Sequence, residues 1–151
     1  MWPIDKTIAD LNLEQVGRTD STEGPERSNA SLTGFDYSDL TSFVQRAGER
    51  TGIKIYKNAK GSDDYFTASD NLPLAEAGVP AETLCVAFDY PDYHAVGDKW
   101  QKIDYDNMTK VDRAIALSMF LMADSEQPVV WNEGNPKTTP FVKAWKQRGL
   151  Q

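Results

Sequence analysis

Strand-like and helix-like stretches take turns along this chain. Helices must layer on a sheet to bury both kinds of apolar face, so few folds are open to such a sequence. Thr7 to Leu13 places Ile8, Leu11 and Leu13 near alternation and reads as a strand ending at Glu14, with a turn at Gly17. Ser38 to Arg50 spaces Leu40, Phe43, Val44 and Ala47 on one helix face, with Ser38 as N-cap and Gly52 as the stop. Ile53 to Tyr56 reads as a second strand. A short helix capped by Ser69 or Asp70 ends at Gly78, and the apolar run Thr83 to Phe88 reads as a buried strand. A long helix starts at Asp104 or Asp106 and reaches Met122, with Met108, Val111, Ile115, Ser118 and Met122 on one face. Thr139-Pro140 opens a last helix through Gln147, with Phe141 and Trp145 on its buried face. The polar stretch Thr19 to Thr33 reads as a loop of low order, and Asn58 to Asp64, Asp89 to Asp98 and Pro128 to Pro140 also read as loops or irregular chain. The expectation is one layered α/β domain over residues 1–151. Its strands at Thr7–Leu13, Ile53–Tyr56 and Thr83–Phe88 share one sheet. Its helices pack there through Phe43, Val44, Val111 and Ile115.

Composition removes several function classes. Lys and Arg total 16 against 23 Asp and Glu, a formal charge of −7 that repels nucleic-acid phosphates. No stretch approaches the length of a membrane-spanning helix. One cysteine, Cys85, excludes an intrachain disulfide and a thiolate cluster, and its apolar surroundings suit a small buried hydrophobe. Gly17, Gly24 and Gly34 are too far apart for a nucleotide-binding loop, and no Gly-x-Ser-x-Gly elbow exists. His94 is the single histidine, so imidazole chemistry within this chain must use it.

Polar residues gather in three segments at strand ends: Asn12 to Arg18, Ser69-Asp70-Asn71, and Pro91 to His94 with Asp98 four residues on. Sites in open α/β sheets lie at the carboxyl ends of strands, and parallel neighbours there would bring Glu14 toward His94. Carboxylate and imidazole are both zinc ligands, and Asp98 is placed to hold the imidazole tautomer. By spacing alone, a surface glutamate and a solvated histidine are the plainer reading.

The three segments together carry a resemblance. Asn12-Leu13-Glu14-Gln15-Val16-Gly17-Arg18 resembles the Asn-Leu-Asp/Glu-x-x-Gly-Arg segment of the family-28 metallopeptidases, two-zinc exopeptidases that include bacterial aminopeptidases, carboxypeptidase Q and glutamate carboxypeptidase. Ser69-Asp70-Asn71 to Ala81 resembles the family's Ser-Asp-His stretch running into Gly-Ile-Pro, and Tyr93-His94 with Asp98 resembles its Tyr-His-x-x-x-Asp stretch. Order and separation match, over residues 1–124, leaving 125–151 as a C-terminal extension with a last helix.

The resemblance implies a three-layer α-β-α sandwich and a reaction that hydrolyses terminal peptide bonds. It makes Glu14 a ligand of one zinc and His94 a ligand of the other. Tyr93 becomes an oxyanion donor, Asp70 an active-site acid that binds no metal, and Asp98 a support behind the ligands. The family's His-x-Asp and Glu-Glu pairs have no counterpart here, and Asn71 stands where the family has a histidine. The expectation is therefore the C-terminal part of a catalytic domain, inactive by itself and prone to self-association. Its parent acts on peptides, in a secreted or periplasmic setting by resemblance. Two other readings compete. One is a non-catalytic α/β binding module that uses an exposed Trp131 and the Asn132–Thr139 loop. The other is a glutaminyl-cyclase-like transferase sharing Asp70 and His94.

Overall fold

A computed structural model describes residues 3–148. The main sheet has four strands, β1 (Asp10–Glu14), β4 (Asn29–Leu32), β5 (Lys54–Tyr56) and β6 (Ala81–Cys85), in the order β1-β6-β4-β5. β2 (Asp20–Ser21) and β3 (Gly24–Pro25) form a separate small hairpin. β1 pairs parallel to β6, with Asn12 opposite Thr83 and Glu14 opposite Cys85. β4 pairs antiparallel to β6 and parallel to β5.

Side-chain alternation along β6 divides the core. Leu84, with Val86 just beyond the strand, joins Ala30, Leu32, Phe43, Val44, Val111 and Ile115 beneath α1 (Leu40–Thr51) and α4 (Tyr105–Ala123). Ala81 belongs to a second cluster with Phe66, Trp131, Phe141 and Val142. This second cluster lies with α3 (Leu72–Glu76) and α5 (Thr139–Gln147), which pack on each other. The strands expected at the three sequence positions do share one sheet, and the four expected contact residues do pack on it. Helix ends follow local chemistry. Gly52 closes α1 in the left-handed conformation, and the Asp104 carboxylate accepts the Asn107 N–H to start α4.

Phe66 is the largest fully buried side chain and holds the second cluster together, with ring centroids 4.7 Å from Tyr37 and 5.4 Å from Phe141. Phe66→Ala is expected to cost ~3–5 kcal/mol, read as a lower urea midpoint.

Several expectations are corrected. The stretch Thr19 to Thr33 is not simply loop, since it contains β2, β3 and the interior strand β4. Polar Ser31 and Thr33 are tolerated there because their hydroxyls accept the N–H groups of Asn58 and Thr83. Asn58 to Asp64 contains a short helix, α2 (Gly61–Asp64). The first strand starts later, at Asp10, and β6 covers Ala81–Cys85 rather than Thr83–Phe88. Asp39, not Ser38, occupies the cap position of α1, although the Ser38 hydroxyl still accepts the Leu40 N–H. Trp131 is buried at 3% exposure, stacked 5.1 Å from Phe141 and donating from Nε1 to the Gly78 carbonyl, so it offers no contact surface.

Candidate active site

The site grows from the exit of β1. Parallel pairing sets Asn12 beside Thr83, and the Asn12 amide donates to Thr83 Oγ1 (3.1 Å), Ser69 Oγ (3.1 Å) and Glu14 Oε1 (3.2 Å). Ser69 donates its own proton to the same Glu14 oxygen at 2.5 Å. Thr83 donates to the Asn71 amide oxygen, so each hydroxyl proton in the cluster has a partner. The consequence is a polarised carboxylate. Both donors engage Oε1, and Oε2 accepts no hydrogen bond among the described residues.

Glu14 lines a cavity of about 110 Å³ together with Gln15, Thr33, Tyr65, Ser69 and Tyr93. Gln15 has a left-handed backbone, with φ of 53°, unusual for a residue with a side chain. With its amide nitrogen turned toward the exit of β6, Gln15 donates to the carbonyls of Ala87 (2.5 Å) and Phe88 (3.3 Å), which ties the ends of β1 and β6. Cys85 also lines the cavity, but burial, and secondarily the nearby Glu14 charge, push its thiol far above the usual range. A neutral buried thiol is a poor nucleophile. Tyr65 and Phe88, whose rings stack at 5.2 Å, are shared with a larger cavity of about 280 Å³ that includes Glu23, Glu26, Asp64 and Asp89.

The expected site residues separate into two groups. Glu14 and Tyr93 line one cavity. His94 is exposed on the segment after β6, also left-handed at φ 56°, and its ring lies 4.0 Å from that of Tyr93. Asp70 is exposed and is not in that lining, whereas its neighbour Ser69 is. Asn71 is fully buried and its amide bonds Thr83 and the Ala81 carbonyl, so it faces inward rather than toward a substrate. Asp98 does not reach His94 by a hydrogen bond. Its oxygens go to Arg18 Nη1 (2.7 Å) and the Tyr90 hydroxyl (2.8 Å). Burial, then the Asp98 carboxylate, raise the Tyr90 hydroxyl to about 12, which keeps it a donor at neutral pH.

Arg18 is the residue that sequence reasoning passed over. It is buried at 3% exposure amid Asp20, Asp92 and Asp98. Its place in the Asn-Leu-Glu-x-x-Gly-Arg segment and the acids of the 89–98 loop were the available signals.

Zinc sites need three or four protein ligands. Among the described residues no three His, Cys, Asp or Glu side chains gather to hold a metal. Glu14 has the donor chemistry and a free oxygen, and the described residues do not gather two further ligands around it.

A mixed sheet between helical layers, with a carboxylate held at a strand exit, is the α/β fold of a peptidase domain. The sequence profile of peptidase family M28 matches residues 2–119, and the chain belongs to that family. The family is one of zinc-dependent metallopeptidases. No curated protein and no solved structure matches the chain.

Proposed function

We propose that this chain supplies one part of the centre of an aminopeptidase-like zinc exopeptidase: Glu14 and His94 as ligands of two different zincs, and Tyr93 as oxyanion donor. The observation that carries this reading is the Glu14 carboxylate, fixed through Oε1, with no hydrogen bond to Oε2 among the described residues, in the wall of a cavity that Tyr93 also lines. Bound zinc would supply an acidified water and a polarised carbonyl. At the strand exit, Asn12 and Ser69 stop the Glu14 carboxylate from rotating. Tyr93 brings a neutral hydroxyl donor to the place where a carbonyl oxygen gains charge. Asp70 stays outside the ligand set. The other ligands and the proton-accepting carboxylate come from residues outside this chain, so the chain alone is inactive. The 125–151 segment is an extension, and the working enzyme acts on peptides outside the cytoplasm.

The test is an aminopeptidase assay of the purified chain with added zinc over several aminoacyl substrates. No turnover is expected, since a missing base alone removes ~10²–10⁴-fold. Zinc-dependent turnover lost in His94→Ala would overturn the claim of a partial centre. In the zinc-loaded enzyme, Ser69→Ala should weaken zinc affinity ~10–100-fold, because it frees Glu14 to rotate. Competition with a chromogenic chelator reads this, and unchanged affinity would remove Ser69 from the site.

A further inference from the structure

The two proposed ligands sit on separate connections. Glu14 ends β1, while His94 lies on the 89–99 segment, which has neither helix nor strand. Turn hydrogen bonds such as Tyr93 N–H to the Tyr90 carbonyl shape that segment internally, but they do not fix where it sits. Arg18, four residues beyond Glu14, does so with both terminal guanidinium nitrogens. Nε and Nη2 grip the two oxygens of Asp20 at 2.8 and 2.6 Å. Nη2 also donates to Asp92 at 2.9 Å, and Nη1 to Asp98 at 2.7 Å.

The guanidinium also lies 4.3 Å from the centre of the Tyr90 ring, whose hydroxyl donates to Asp98. Tyr90 meets Tyr93 edge-on at 5.5 Å, and Tyr93 packs on His94 at 4.0 Å. A continuous set of contacts therefore runs from Arg18 through two aromatic rings to the imidazole. The loop closes tightly on this centre, since a Cβ on Gly97 would collide with the Asp92 carboxylate. Three carboxylates face two cations there, Arg18 and the half-exposed Lys102.

We propose that Arg18 is a positioning residue that sets the placement of Tyr93 and His94 relative to Glu14. This rests on the proposed roles of those three residues. A lysine at 18 would keep the charge but lose the planar fork that spans three carboxylates and the face contact with Tyr90.

The experiment is NMR of the full chain, comparing Arg18→Lys, Tyr90→Phe and Asp98→Asn with the unaltered protein. Observed are the His94 and Tyr93 ring signals, with the Val44 and Leu84 methyls as reporters of the core. In Arg18→Lys the His94 and Tyr93 signals should shift and broaden while the core methyls stay fixed. Tyr90→Phe and Asp98→Asn should act in the same direction with smaller shifts. Arg46→Lys, whose guanidinium covers only Phe43, should change none of these. Should Arg18→Lys fail to fold, Tyr90→Phe and Asp98→Asn decide. Ring signals that stay put, or that move only in step with the core methyls, overturn the proposal. A zinc titration that moves His94 in the unaltered chain would overturn the proposed partial centre, and the metal-free comparison still decides the role of Arg18.

Discussion

Gly78→Ala is expected to destabilise the domain by ~2–5 kcal/mol, combining ~1–2 kcal/mol for a left-handed residue with a side chain and ~1–3 kcal/mol for overpacking. Gly78 has φ of +86°, and a Cβ there would lie 2.5 Å from the Trp145 nitrogen and 2.7 Å from the Ala144 carbonyl carbon. These are backbone atoms of α5, so no rotamer change relieves the clash. Moving α5 away would also strain the bonds that the Gly78 carbonyl accepts from Trp131 Nε1 and Arg148 Nη1. Urea unfolding checks this, and a loss below ~1 kcal/mol would mean that α5 is not docked through this contact.

The second large effect concerns Glu82, fully buried on β6 with no cation paired to it among the described residues. Ser38 donates to Oε1 at 2.6 Å, and Thr41 Oγ1 lies 2.9 Å from Oε2 and 2.8 Å from the Phe35 carbonyl. Thr41 has one proton for those two acceptors. A protonated Glu82 resolves this by donating from Oε2 to Thr41, which then donates to Phe35. Burial raises the carboxyl well above its ordinary 4.5, against the opposing pull of the hydroxyls. The sign follows from proton binding. Below 4.5 both folded and unfolded chains hold the proton, and above it the unfolded chain releases it first. This group's contribution to stability is therefore present in acid and lost as pH rises from 4.5 toward the raised folded value. Glu82→Gln should flatten that decline, and Glu82→Ala should cost ~2–4 kcal/mol at acid pH through a cavity and the stranded Ser38 hydroxyl. Melting curves across pH test both. An unchanged slope in Glu82→Gln would show that the decline arises elsewhere.

Much of this layout was legible in the sequence wherever periodicity was strong. α1 and α4 carry apolar residues at helical spacing, and those residues form the contact with the sheet. β4 was illegible for a physical reason: Asn29-Ala30-Ser31-Leu32 has only two apolar side chains, and its one hydroxyl, on Ser31, accepts the N–H of Asn58, distant in sequence. Trp131 was misread because it lies in irregular chain, where no period signals burial, and its cover comes from Phe141 and Gly78. That Glu14 and Tyr93 line one cavity was legible through their motifs. The acceptor pattern of Asp98 was not, because a four-residue spacing from His94 suggests a partner, while Arg18, 80 residues away, claims the carboxylate.

The order β1-β6-β4-β5 also bears on how quickly the domain is made. β4 and β5 are joined through α1 and pair within one local unit, so their closure entropy is small. β1 and β6 meet across 71 residues of chain, the separation of Asn12 from Thr83, and pairing of that range is intrinsically slow. The strand that carries Glu14 is thus expected to join last. In a refolding experiment the β4–α1–β5 amides should gain protection before those of β1, and the carboxylate should reach its place only in the closing phase.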